Sequence, residues 1–316
     1  VVLGERGQLN EAQAESAGES ADGARPPATG PAAQSGNGAS GASHVTPQVK
    51  VTGGTAIGDD ASVPSQTDDV SKPDAQVTSI ARPSAGCGRD PASAGTTVTV
   101  NGVSADFLLE VPAPYQRARG YALVLAFRGM DQTAALFRDQ LQLAAVTSSA
   151  AIIVHVNPLS PDTNWDFQRD MPLVSALITA LGNNYCLDLD RVFAVGDKEG
   201  AMFVNLVGCV RAPQVRAIAL LSSTPPPLGP CRTNLAVWLM QQSDAETMTV
   251  GNGLGNRDFW ALRNGCDLYS PTLVSPAGCV AYANCGAGLP VRYCEHQGAG
   301  LPSFAIGAAW DFFEML

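Results

Sequence analysis

The stretch RVFAVGDKEGAMFVNLVGC, Arg191 to Cys209, decides the fold. RVFAVG is a short apolar run ending in glycine, the mark of a buried strand. Gly196 and Gly200 bracket a tight turn. Met202, Phe203, Leu206 and Val207 follow at helical spacing and point one face inward. Strand, Gly-x-x-x-Gly turn and helix are the outline of a nucleophile elbow, G-x-S-x-G, in which a sharp turn lifts a serine above the end of a strand. Here the central position is Lys198.

Working outward, the same alternation of strand and helix continues. YALVLAFRG and AAIIVHVNP are continuous apolar runs of the kind found in parallel strands covered on both faces. VRAIALLSS and LAVWLMQQ repeat the pattern after the elbow helix, and VRYCEH reads as a late strand. Between them, Met171, Val174, Leu177, Ile178 and Leu181 form one helical face, with Gly182 expected as the stop. A second helix is expected around RDFWALRNG, and SFAIGAAWDFFEML closes the chain as an amphipathic helix. TTVTVNGVSADFLLEVPAPY opens the domain as an antiparallel hairpin turning at Asn101-Gly102. The economical architecture is an α/β fold, a three-layer sandwich with helices on both faces of a mostly parallel sheet. Its chemistry is expected at the carboxyl ends of the strands.

Composition divides the 316 residues in two. Residues 1–86 contain no Phe, Tyr, Trp or Cys and are rich in Ala, Gly, Ser and Pro. Such a segment buries too little apolar surface to offset its ordering entropy, and it reads as a disordered acidic tether. Residues 87–316 hold all the aromatics and all eight cysteines and suit one domain with a sizeable core. The cysteines are Cys87, Cys186, Cys209, Cys231, Cys266, Cys279, Cys285 and Cys294. None lies in a C-x-x-C pair, and the chain has only three histidines, so no metal site and no cofactor are expected. An even cysteine count confined to one domain points to disulfides and an oxidising compartment: secreted, periplasmic or cell-surface. Their connectivity stays open, with sequence proximity favouring pairs within Cys266, Cys279, Cys285 and Cys294. The net charge of −10 includes no basic patch, which argues against nucleic acid as a partner. No apolar run reaches membrane-spanning length. The chain starts at Val1, so a removed leader and a fragment both remain open.

Four stretches carry a resemblance: SAGCGR, YALVLAFRG, NYCLDLDRVFAVGDKEGAMFVNLVGC and VRYCEHQGAGLPSFAIGAAWDFF. In that order they resemble the secreted α/β-hydrolase esterases that include polyhydroxybutyrate depolymerases and feruloyl or acetylxylan esterases. The likeness spans nearly all of residues 84–316. It implies a Ser-His-Asp triad, and this chain departs from that pattern. Lys198 stands at the nucleophile position, Ala299 at the histidine position and Leu301 at the tryptophan of the G-H-x-W-P stretch. Arg128, followed by Gly129, replaces the histidine of the oxyanion turn. Asp244 alone fits the family's acid position.

Lysine attacks an ester only when neutral, and the carboxylates of Asp197, Glu199 and Asp244 favour the charged form. Glu199 follows the nucleophile position, where a carboxylate opposes a developing oxyanion unless it points away. The expectation is therefore a noncatalytic relative of ester hydrolases, its old cleft holding a polysaccharide, a polyester or a protein. The alternative is an active esterase with altered machinery based on Lys198, on His296 as a displaced base, or on another nucleophile such as Ser222 or Ser223. Two arrangements of Lys198 are open: pairing with Asp244 across the place of the missing imidazole, or solvation of both charges at the cleft rim. Trp165, beside Asp166, is a candidate cleft wall or a packing residue. His155 lies in a core-strand pattern and His44 in the arm.

Overall fold

A computed structural model describes residues 82–92, 95–160, 164–211, 214–226 and 231–316. The chain divides into Val1–Lys72 and Pro73–Leu316, and all described residues belong to the second unit. Of the expected disordered arm, residues 1–86, residues 1–81 lie outside the described residues.

The elements follow in chain order: β1 (Thr97–Val100), β2 (Val103–Glu110), β3 (Tyr121–Phe127), α1 (Ala134–Leu141), α2 (Leu143–Val146), β4 (Ala151–Val156), α3 (Phe167–Asn184), β5 (Leu187–Asp197), α4 (Glu199–Arg211), β6 (Ala217–Leu221), β7 (Ala236–Gln242), α5 (Val250–Arg263), β8 (Asp267–Val274), β9 (Cys279–Ala283), β10 (Val291–His296) and α6 (Ala305–Glu314). The strands form one sheet in the order β1-β2-β4-β3-β5-β6-β7-β10-β9-β8. The strands from β4 through β3, β5, β6 and β7 to β10 run parallel, and antiparallel hairpins flank them on both sides. The α/β sandwich expected from the alternation of runs is the fold observed.

Each apolar run became a strand because both its faces are covered. Every residue of β3, β4 and β6 is buried. Alternation sends Leu123, Leu125 and Phe127 into one core and Ala122, Val124 and Ala126 into another. The first core packs beneath α3, α4 and α5. The second packs beneath α1 and α6, where Phe193 of β5 stacks on Phe313 at 4.4 Å. Burying side chains of this size stabilises the fold by about 2 kcal/mol each. His155 sits in the second face, fully buried, its Nε2 2.8 Å from the Glu110 carboxylate. Burial pushes its pKa down more than Glu110 pulls it up, so the ring is held neutral and donates to Glu110.

Three expectations need correction. Gly182 does not stop α3. The helix runs on to Asn184, and the glycine admits Ser84, whose Cβ would lie 3.3 Å from an added methyl. The helix also begins at Phe167, before the expected face, because the Asp166 carboxylate caps the N–H groups of Gln168 and Arg169 at 3.0 and 2.7 Å. Residues 82–86, expected to belong to the arm, are bonded to the folded unit instead. Ser84 N–H donates to Leu187 O at 2.9 Å, its hydroxyl donates to Tyr185 O at 2.6 Å, and Leu189 N–H donates to Arg82 O at 2.8 Å. Residues 82–86 are thereby part of the folded unit. The β8–β9 hairpin and α1 were not read from the sequence at all. The burial of β8 is low throughout, so it carries no apolar alternation to find.

The eight cysteines form four disulfides: Cys87–Cys186, Cys209–Cys231, Cys266–Cys285 and Cys279–Cys294. The last two lie within the group favoured by proximity. Cys266–Cys285 closes the base of the β8–β9 hairpin, and Cys279–Cys294 ties β9 to β10. No helix among the described residues is long and apolar enough to cross a membrane.

The first bridge spans 99 residues. A loop of that length gives a constraint on the unfolded chain of about 4.7 kcal/mol in the chain-entropy description. Replacing Cys87 and Cys186 together by serine is expected to cost about 2–5 kcal/mol, more than the same change at Cys279 and Cys294. Urea unfolding of the two double variants checks the order.

Candidate functional site

The site is built where β5 meets α4. Gly196 and Gly200 allow an approach that no other residue permits. A methyl on Gly200 would lie 2.1 Å from Phe127 O and 2.4 Å from Arg128 O. A methyl on Gly196 would lie 2.5 Å from the Gly200 carbonyl. These contacts bring the start of α4 against the end of β3, and they force the turn between. Lys198 takes φ of 48°, a left-handed conformation costly for a residue with a Cβ. Its N–H donates to Leu221 O at 2.9 Å, one step beyond the ladder between β5 and β6. The elbow is therefore present in geometry, with lysine at its tip.

Beside it lies the loop after β3, expected as the oxyanion turn. Arg128 is buried, and burial pushes its pKa down. Its guanidinium donates to Asn157 Oδ1 at 3.2 Å, to Gly129 O at 3.0 Å and to Met130 O at 3.2 Å. It props the loop from within. The loop's N–H groups are taken by side chains of this chain. Gly129 N–H donates to Gln132 Oε1 at 3.3 Å. Met130 N–H donates to Glu199 Oε2 at 2.9 Å. The carboxylate next to the elbow points into the loop, where its charge opposes any developing oxyanion.

Lys198, Glu199, Asp131, Ser222, Gln242 and the segment Ala245–Met248 line a cleft of ≈ 510 Å³. Lys198 is the only lysine between residues 73 and 316. It is exposed, and among the described residues it makes no ion pair within 4.0 Å. Ser222 and Met248 also hold left-handed φ, 55° and 50°. Thus the loops after β5, β6 and β7 each present one strained residue to the same space. Gln241 fastens the last of these loops by donating to Met248 O.

The other expected site residues lie elsewhere. The pairing of Lys198 with Asp244 is not formed. The Asp244 carboxylate instead accepts Gly298 N–H at 3.0 and 3.1 Å and the Gln242 amide at 3.0 Å. The Gly298 N–H first, then Gln242, hold its carboxyl below the ordinary range. His296 ends β10, its carbonyl accepting Ser243 N–H at 2.8 Å, and it is not among the described residues lining the cleft. Ala299 is exposed, while Leu301 packs against the second core. Trp165 is a packing residue rather than a cleft wall. It is buried, stacks on Phe203 at 4.9 Å and donates to Arg128 O at 2.8 Å, bracing the loop from behind. Ser223 is buried and donates to Thr224 O at 3.1 Å. Among the described residues no cluster of His, Cys, Asp and Glu has the geometry to hold a metal ion. Met130, Gln132 and Glu246 were missed, since nothing in their sequence neighbourhood signals a role.

Asp197, the residue before the elbow tip, is 5 % exposed. Burial pushes its pKa up from 3.8 to about 6, against the pull of the Lys198 charge and with a push from Glu199. The folded chain therefore keeps a proton that the unfolded chain has lost, and stability falls as pH rises from 3.8 to about 6. Above that window the full cost, about 3 kcal/mol, is present. Asp197→Asn is expected to raise stability at pH 7 by up to about that amount and to flatten this part of the pH profile. Urea unfolding of both proteins between pH 4 and 7 is the check.

Comparison with known proteins agrees with this geometry. No family model matches the chain. Feruloyl esterase D of Neurospora crassa is 25 % identical over 265 residues, covering 74 % of this chain and 90 % of its own. Feruloyl esterase C of Emericella nidulans is 24 % identical over 249 residues, covering 73 % and 90 %. Among solved structures, an acetyl xylan esterase from Aspergillus awamori superposes with a TM-score of 0.58 at 14 % identity, covering 70 % of this chain and 98 % of that one. The chain has the α/β-hydrolase fold, and its relatives by sequence are esterases.

Proposed function

We propose that this chain is a noncatalytic relative of carboxylic-ester hydrolases, working outside the cell as a binding protein that uses the former active-site cleft. The observation that carries this reading is the Glu199 carboxylate on the Met130 N–H at 2.9 Å. Acyl transfer needs a nucleophile, a base within hydrogen-bond reach and donors free for the oxyanion. Here the elbow holds an ammonium, Ala299 stands where the resembling esterases carry their histidine, and a carboxylate sits on a loop donor. An attacking lysine would also end as an amide, which resists turnover. Three strand-end residues with left-handed φ line the cleft, and such strain persists only where the surrounding structure over-determines it. A polysaccharide, a polyester or a protein is the proposed partner, with the residues before 82 as a tether. The four disulfides fit an oxidising compartment.

Hydrolysis by altered machinery has one observation in its favour. Ser222 follows a strand with φ of 55° and faces the same cleft as Lys198. It lacks a partner base, because no hydrogen bond of its hydroxyl occurs among the described residues.

Short acyl, feruloyl and hydroxybutyrate esters test the reading on the wild type, Lys198→Ala and Ser222→Ala. The expected result is no turnover in the wild type beyond the roughly 10³–10⁴-fold over water that a serine protease keeps without its triad. Turnover well above that level, abolished by either substitution, would overturn it.

A further inference from the structure

We propose that the Glu199 carboxylate is an internal stand-in for an external one, so that the cleft takes monocarboxylates, which enter by displacing it. The proposal rests on the reading of the cleft as a binding site.

Two independent observations lead there. First, the loop after β3 already holds a carboxylate: Glu199 Oε2 accepts Met130 N–H at 2.9 Å. A hypothetical methyl on Gly129 would come within 3.5 Å of the same oxygen, so the carboxylate lies close over the loop backbone. Backbone N–H groups favour charged acceptors over neutral ones, and this contact displays the preference. Second, Lys198 places an exposed ammonium in the same cleft, with no ion-pair partner among the described residues. An acid entering the cleft would meet a loop donor and a cation together, provided the Glu199 arm swings away.

The remaining charges narrow the class. Asp131 and Glu246 also line the cleft and repel a second negative charge. A single carboxylate on an otherwise neutral body is the best match, and ≈ 510 Å³ leaves space for an aromatic ring behind it. The ligand is then the acid half of an ester rather than the ester. An ester carbonyl is a weaker acceptor and cannot compete with Glu199 for the N–H. The same side chain that removes oxyanion stabilisation thereby selects the ligand.

The test is calorimetric titration of the full chain with ferulate, acetate and the neutral amide of ferulic acid. Wild-type binding of both acids is expected to be weak, because each must displace Glu199. Glu199→Ala is expected to tighten ferulate and acetate about tenfold or more and to leave the amide unchanged. Adding Lys198→Met to Glu199→Ala is expected to lose that gain. Glu199→Gln keeps the size of the side chain and removes its charge, so it is expected to show a smaller gain in the same direction, and it decides the matter if the alanine variant does not fold. No gain in a folded Glu199 variant, an equal gain for the neutral amide, or indifference to Lys198→Met would overturn the proposal. Hydrolysis of methyl ferulate, followed in the same samples, separates the two readings. Turnover by the wild type overturns the noncatalytic reading, whereas absent carboxylate binding without turnover overturns only this one.

Discussion

The approach of α4 to the end of β3 is the constraint on which the site depends. A glycine at position 200 lets the helix start against the carbonyls of Phe127 and Arg128, and Gly196 lets the strand pass the helix just before the turn. Any side chain at either place would drive the layers apart. From this contact follow the left-handed φ of Lys198, the nearness of Glu199 to the loop after β3 and the opening of the cleft between strand ends. The elbow geometry is thus a product of backbone packing and does not require the serine it usually presents.

The charges around the turn set the character of the site. A serine tip and an empty anion site make a surface that waits for a negative charge to develop. Here an ammonium stands at the tip, a carboxylate fills a loop donor and Asp197 is buried beneath the turn. These charges are mutually adjusted. Lys198 eases the ionisation of Asp197, while Glu199 opposes it. Asp244, which keeps the acid's place in sequence, is satisfied by the Gly298 N–H and by Gln242, so it needs no histidine and no lysine.

Much of the fold was legible because burial on two faces leaves uninterrupted apolar runs. YALVLAF, AIIVHV and AIALL could be little else than covered strands, and each is buried along its whole length. The β8–β9 hairpin was not legible, because an edge ribbon held by two disulfides needs no apolar alternation. Gly182 misled because a glycine late in a helix reads as a stop, whereas its purpose here is contact with Ser84, distant in sequence. Residues 82–86 misled because their tie to Leu187 and Tyr185 is made through backbone groups and the single Ser84 hydroxyl, which composition does not report.

The candidate site divides along the same line. By itself the sequence determined the Gly-x-x-x-Gly turn between strand and helix, the lysine at its centre, and the presence of a carboxylate beside the tip. These are properties of residue identity and local spacing. Only the tertiary structure decided where the side chains point: Glu199 into the loop, Asp244 to Gly298, Trp165 into the core and Lys198 into the cleft. The directions of Glu199, Asp244 and Trp165 are chosen by hydrogen-bond partners far away in sequence, 69 residues in the case of Glu199 and Met130. A charged side chain goes to whatever backbone donor the fold brings within reach, and spacing along the chain carries no record of that donor.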